Sequence, residues 1–352
     1  MKIAQIVGAR PQFVKLAPLS REIRKAHGEI IIHSGQHYDL QMNEVFFRDM
    51  EIPEPDYNLN IGSGSQGKQT AEILSAVETV LETEKPDVVV VYGDTNTTLA
   101  GALAAAKLGI KTAPVEACLR SFNRSMPEEL NRIVADHLCD ILLAPTPKAM
   151  ENARQEGLVN KTRLVGDIMV DSLKFGLEKA QRESRILPHL GLEKTSYSLL
   201  TLHRPYNVDS AENLSQILNG LNRLDRQIVF PVHPRTRNIL NKSISQDFSN
   251  IRFIEPQAYL DFLILMQNSQ LILTDSGGIQ KEAYILRKPC VTLRYETEWV
   301  ETVASGWNLL LPVNATDFPM AINSFAVPES HPEIFGVNVA AKMAELITSM
   351  SS

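Results

Sequence analysis

The segment Gln270 to Ala283, Q-L-I-L-T-D-S-G-G-I-Q-K-E-A, sets up anion-binding chemistry within one short stretch of chain. Leu271 to Leu273 read as a buried strand, Gly277 and Gly278 free the backbone for a tight turn, and a helix start follows. The first N–H groups of a helix lack intrahelical partners and sit at the positive end of its dipole, so this turn suits a phosphate. Glu282, one turn into the helix, could accept hydrogen bonds from sugar hydroxyls beside that phosphate, which points to a nucleotide sugar. The blander alternative is that glycines after a strand simply make a good turn.

Other chemistry-bearing residues fall in equivalent places. Ligands of open parallel sheets lie beyond the carboxyl ends of strands. Arg10 follows the first candidate strand, Asp94 the third and Glu116 the fourth, and later His203 with Arg204, then His233, then Asp275 with Ser276, then Arg294. Seven strand ends bearing ionisable or imidazole groups argue for one shared cleft. Each has a structural alternative: Arg10 and Lys15 as solvated residues of a helix start opened by Pro11, Asp94 as a helix N-cap, His203 and His233 as structural histidines. Glu128 and Glu129 have a simple explanation as acids in a helix's first turn, whereas Glu116 ends a buried strand and needs a partner or a purpose. His33 and His37 have helix-like spacing for metal ligands, but Gly35 lies between them and no third ligand is evident, so no metal is expected. Gly62 to Gly67 fits G-x-G-x-x-G after a poor buried strand at 57–61, and a loop is the better reading than a dinucleotide site. Ser276 lacks the G-x-S-x-G setting of a hydrolase nucleophile.

The elements that must position these residues alternate throughout. Candidate strands are 2–7, 29–33, 87–92, 111–115, 139–144, 162–165, 197–202, 227–232, 251–254, 270–274, 289–293 and 308–311. Between them lie segments of helical period, such as 69–83 with Thr70, Ile73, Leu74, Val77, Val80 and Leu81 on one face. Continuous apolar strands imply sheets covered on both faces, hence a doubly wound α/β architecture. The charged stretch 174–196, with a less periodic connection at Pro188 to Leu192, separates two sets of strands. Two Rossmann-like domains facing a cleft are expected, at 1–170 and 171–336, the first completed by an apolar-faced helix at 337–352.

At 352 residues, 44% hydrophobic and 22% charged, the chain has the balance of a soluble globular protein. A net charge of −6 without a basic run argues against nucleic acid. Cys118, Cys139 and Cys290 are widely spaced, as in a reducing cytoplasm, and no apolar run reaches the roughly 20 residues that span a membrane.

The motifs G-A-R-P-Q-F at 8–13, Q-H-Y-D at 36–39, G-D-T-N-T-T at 93–98, M-P-E-E-L-N-R at 126–132, H-P-R-T at 233–236, T-D-S-G-G-I-Q-K-E-A at 274–283 and R-Y-E-T-E at 294–298 occur in that order along nearly the whole chain. In these the chain resembles the non-hydrolysing UDP-N-acetylglucosamine 2-epimerases, whose fold is of the glycosyltransferase-B type. The resemblance implies interconversion of UDP-GlcNAc and UDP-ManNAc through elimination and re-addition of UDP, without metal or redox cofactor, by a homodimer. It implies Asp94, Glu116 and Glu128 as acid/base carboxylates, His203 and Arg10 on the pyrophosphate, Ser276, Gly277 and Gly278 at the phosphate turn, Glu282 on the ribose, His233 in UDP binding, and Lys15 and Arg294 as cleft cations. The chain departs from the family pattern at Cys118, usually glycine, at Tyr206, usually glutamate, and at Phe335 to Asn338, usually G-D-G. G-A-R-P-Q-F and T-E-W-V-E at 297–301 also look like the branch acting on UDP-2,3-diacetamido-uronic acids. A glycosyltransferase using the same cleft, or a non-catalytic nucleotide-sugar binder, are the alternatives of other classes.

Overall fold

The computed structural model describes residues 1–35, 47–243, 248–315 and 318–351; Q-H-Y-D, with His37, lies outside them. The chain divides into two compact units, Met1–Phe175 with Glu333–Ser352, and Gly176–Pro332.

In the first unit, β1 (Lys2–Val7), β2 (Gly28–His33), β3 (Tyr57–Asn58), β4 (Val88–Tyr92), β5 (Lys111–Val115), β6 (Leu142–Ala144) and β7 (Thr162–Leu164) form one sheet in the order β3-β2-β1-β4-β5-β6-β7. Every pairing is parallel, with Ile3 opposite Val88 and Ile6 opposite Val91 across the centre. β3 carries no apolar run because it is a two-residue edge strand, set against Ile32 and His33. β6 is shorter than the apolar run suggests, since Cys139 closes the preceding helix, its N–H bonded to Ala135 at 3.1 Å. His33 ends β2.

The helix expected at 69–83 spans Gln66–Glu84 and buries Gln69, Ile73, Val77, Val80 and Leu81, leaving Thr70 and Leu74 at the margin. Its neighbour, Asn96–Lys107, is built of small residues, and a side chain at Gly101 would meet Ile6 and Val91 at 3.0 Å. That helix therefore sits close over the β1–β4 seam, with Ile6, Val91, Ala100 and Ala104 in the core. The last helix, Val339–Thr348, packs on the helix Arg10–Ile23 through buried Val339, Ala340, Met343 and Ile347.

In the second unit, β8 (Tyr197–Thr201), β9 (Gln227–Pro231), β10 (Ile251–Ile254), β11 (Leu271–Thr274), β12 (Cys290–Thr292) and β13 (Asn308–Leu310) are again all parallel, in the order β10-β9-β8-β11-β12-β13. Leu200, Phe230, Leu273 and Val291 face Leu214, Ile217 and Leu221 of the helix Ala211–Leu221 in its core. Pro188 to Leu192, expected to be irregular, holds a short helix at Ile186–Leu190, closed by Gly191 in the left-handed region. In both sheets the strand order reverses at the first strand, between β1 and β4 and between β8 and β11, which is where doubly wound sheets open a crevice at their carboxyl edge.

Candidate active site

The carboxyl edge of the first sheet gathers three loops. Gln12, buried in the helix Arg10–Ile23, accepts from the N–H groups of Gly8 at 2.7 Å and Ala9 at 2.9 Å and donates to the carbonyl of Tyr92 at 2.6 Å. It thereby ties the loop after β1 to the loop after β4, a role its place in G-A-R-P-Q-F did not disclose. Arg10 opens this helix, and Lys15 lies one turn in, its ammonium ion-paired with Glu116.

Glu116 follows β5 at φ 67°, a left-handed conformation that is uncommon for a residue with a side chain and is held here at the sheet's edge. Asp94 follows β4 but does not cap the next helix: Thr95 does, accepting from Thr98. Asp94 is ion-paired with Arg132, and its own carbonyl accepts from Asn131 at 2.9 Å. Burial raises its pKa above the usual carboxylate range; Arg132 opposes that, while Glu116 adds to it, and Glu128 also contributes upward. Asp94, Glu116 and Glu128 therefore share one electrostatic neighbourhood. The adjacent acids of M-P-E-E-L-N-R part company: Glu128 is exposed, whereas Glu129 is buried and accepts from the N–H groups of Ser121 at 2.8 Å and Phe122 at 2.9 Å and from Arg132 at 3.0 Å. Glu129 is thus more than a first-turn acid; it fixes the Arg132 that pairs with Asp94.

The second unit builds a different chemistry. Asp275, fully buried after β11, accepts from the N–H groups of His203 at 3.0 Å and Arg204 at 3.0 Å and from the Asn207 amide at 2.9 Å, and lies 2.9 Å from His203 Nδ1. Burial would raise its pKa, but the His203 ring, Asn207 and the Arg204 N–H outweigh it and hold Asp275 below the ordinary range. Nδ1 of His203 is occupied, which leaves Nε2 of this exposed ring as the nitrogen available to a ligand. Ser276 caps the helix Gly277–Ile285, accepting from Ile279 at 3.4 Å. Gly277 and Gly278 are its first residues and neither has positive φ, so this turn does not draw on glycine's left-handed freedom; a side chain at Gly277 would meet the carboxylate of Glu298, the flexible end of a half-exposed side chain. Glu282 is buried on that helix, its pKa pushed up to about 7 by desolvation despite Lys281. Arg294 follows β12 and hydrogen-bonds Glu298 at 2.9 Å, with the phenol of Tyr206 within its electrostatic reach. His233 stands exposed after β9, one strand beyond β8. Among the described residues no group of three His, Cys, Asp or Glu side chains could hold a metal ion.

The Epimerase_2 family, UDP-N-acetylglucosamine 2-epimerase, matches residues 21–342. The chain belongs to this family. It is 50% identical over 357 residues to a UDP-N-acetylglucosamine 2-epimerase homologue of Methanococcus maripaludis, covering 99% of this chain and 100% of that one. The structure of the Methanocaldococcus jannaschii UDP-GlcNAc 2-epimerase in complex with UDP-GlcNAc and UDP superposes with a TM-score of 0.83 at 43% identity, over 99% of this chain and 100% of that chain. The UDP-2,3-diacetamido-2,3-dideoxy-D-glucuronate 2-epimerase of Pseudomonas aeruginosa is 45% identical over 320 residues, 88% of each chain.

Two of the places where this UDP-N-acetylglucosamine 2-epimerase family member departs from the family's pattern have left-handed backbone. Cys118 has φ 63°, and its N–H donates to Asp136 at 3.0 Å while its carbonyl accepts from Asn152 at 3.0 Å. A left-handed residue is what a glycine at that position would supply, and the cysteine adopts the same conformation with its thiol buried. Asn338, in the stretch where the family carries G-D-G, is likewise left-handed at φ 50°.

Proposed function

We propose that this protein interconverts UDP-GlcNAc and UDP-ManNAc. The C2 proton of the sugar has no neighbouring carbonyl to stabilise a carbanion, so inversion runs by elimination: a base takes the C2 proton, the C1–O bond to UDP breaks, and a C1–C2 double bond forms in 2-acetamidoglucal. Return of UDP to C1 with a proton delivered to the opposite face of C2 completes the inversion. The observation that carries this reading is the trio Asp94, Glu116 and Glu128, sharing one neighbourhood in which the Asp94 pKa is raised by burial and by both glutamates. The Lys15 ammonium on Glu116 and the Arg132 guanidinium on Asp94 fix the two acids where a proton must be taken and given.

The second unit supplies the leaving-group chemistry. Ser276, Gly277 and Gly278 present the helix start to the diphosphate, with His203, His233 and Arg294 as this unit's donors and Glu282 on the ribose. Holding UDP through the glycal stage keeps the enzyme from becoming a hydrolase. We take the working form to be a homodimer, as the family resemblance implies, and its location to be cytoplasmic, in keeping with three buried free cysteines, Cys118, Cys139 and Cys290. Sedimentation tests the oligomer.

The deciding experiment is incubation with UDP-GlcNAc in D2O with C2 followed by NMR. Deuterium at C2 of an inverted product is expected; UDP release that requires an acceptor, or tight binding without exchange, would overturn the reading. A uronate-bearing UDP-2,3-diacetamido sugar is the second reading. Tyr206, a neutral phenol in the electrostatic neighbourhood of Arg294 where the family usually carries glutamate, removes one charge that would repel such a substrate. Offering both sugars side by side separates the two.

A further inference from the structure

The Glu298 carboxylate lies between Arg294 and the first residue of the helix Gly277–Ile285, two of the groups read above as gripping the diphosphate. Arg294 Nη1 donates to its Oε2 at 2.9 Å, and its other oxygen lies where a side chain at Gly277 would begin, on the first residue of the helix Gly277–Ile285. The same point is 3.6 Å from Trp299 Nε1. The loop that carries Glu298 is fastened to this helix on both sides: Thr297 donates to Gln280 at 2.6 Å, and the Lys281 ammonium sits 4.2 Å from the centre of the Trp299 ring. A carboxylate and a phosphate seek the same partners, a guanidinium and a helix N-terminus. Arg294 is nearly buried, with its side chain 11% exposed, whereas that of Glu298 is 48% exposed, so the acid can swing to water while the arginine stays.

We propose that Glu298 is a built-in occupant of the diphosphate site, which UDP must displace to bind. The inference rests on the reading that Ser276, Gly277 and Arg294 grip that diphosphate, and it adds a competitor inside the chain. Its return to Arg294 and Gly277 gives the enzyme a way to release UDP-sugar product without water having to solvate the arginine.

The test is calorimetric binding of UDP, inorganic pyrophosphate and uridine to the wild-type protein, Glu298→Gln and Glu298→Asp. Removing the charge should tighten UDP and pyrophosphate by about five- to tenfold, because the apparent affinity is no longer divided by the fraction of open sites. Uridine, which has no phosphate to compete, should bind both proteins alike. Glu298→Asp, one methylene shorter, should fall between them and serves if the glutamine variant melts early. Unchanged UDP affinity in Glu298→Gln overturns the inference while leaving the UDP site standing. Weaker UDP binding in that variant would also overturn it, making Glu298 a residue that positions Arg294. Wild-type protein that binds neither UDP nor pyrophosphate sinks the diphosphate reading itself, and the inference with it.

Discussion

His203 owes its orientation to Asp275, which no ligand need touch. Four donors converge on that buried carboxylate, and an amide in its place would turn an NH2 toward N–H groups with which it cannot bond. Asp275→Asn should therefore lower kcat/KM by about 10- to 100-fold through His203 and cost roughly 2 kcal/mol of stability. The pKa of Asp275 is depressed on folding, so its contribution is present above the unfolded value and lost as pH falls through the folded one. The wild-type protein should lose more stability than Asp275→Asn on acidification below about pH 4; parallel melting curves would remove Asp275 as the source. Glu282 has the opposite sign. Its pKa is raised to about 7, so the folded protein binds the extra proton and loses stability as pH rises from the unfolded carboxylate value through 7. The loss is on the order of 3 kcal/mol at pH 8. Glu282→Gln removes the titration, so its melting temperature should match the wild type near pH 5 and exceed it at pH 8, with thermal melts at the two pH values as the check.

Among the elements, the loop after β5 carries three left-handed residues with side chains, Glu116, Cys118 and Phe122, and the stretch before the last helix carries Asn338. A left-handed residue with a Cβ costs about 1–2 kcal/mol, which glycine avoids. At Cys118 the relief offered by glycine is set against loss of a buried thiol and the extra unfolded-state freedom of glycine, two losses of about 1 kcal/mol each. Cys118→Gly should accordingly stay within about 1 kcal/mol of the wild type, while Cys118→Val, β-branched at positive φ, should lose more than about 2 kcal/mol in urea unfolding. Equal losses would mean that the backbone there is free to relax. The strands of both sheets were readable because both faces are buried and every residue reports the same apolar preference; β3 was not, since two edge residues carry no such pattern. Asp94, Glu116 and the D-S-G-G turn were readable as residues because strand ends are marked by the runs before them. Their partners were not: Arg132 reaches back 38 residues to Asp94 and Gln12 reaches forward 80 to Tyr92, and only the fold sets such pairs. Glu128 and Glu129 show the limit most sharply. Both suit a helix start, and only the packing of the Ser121–Phe122 backbone decides which of them is buried.

At the scale of the whole chain, the first unit is completed by residues from the far end of the sequence, and this can be separated experimentally from the second. Val339, Ala340, Met343 and Ile347 are buried against the helix that begins with Arg10 and carries Lys15; the N–H of Ala340 is bonded to Asp171 at 2.6 Å, and Asp167 to the carbonyl of Phe335 at 2.8 Å. Burying the three larger side chains stabilises by about 1.5–3 kcal/mol each, an upper figure. Their sum is comparable with the roughly 5–15 kcal/mol that holds a domain folded. A chain ending at Asn338 should therefore lose the melting transition of the first unit, and epimerisation with it, while the Gly176–Pro332 unit keeps its own transition. UDP at a hundredfold over its dissociation constant should still raise that remaining transition, by an amount equivalent to about 2.7 kcal/mol. Calorimetry with and without UDP reads both effects at once. If the shortened chain keeps both transitions, the last helix is not part of the first unit's core; if UDP no longer shifts the survivor, the diphosphate grip does not belong to the second unit alone.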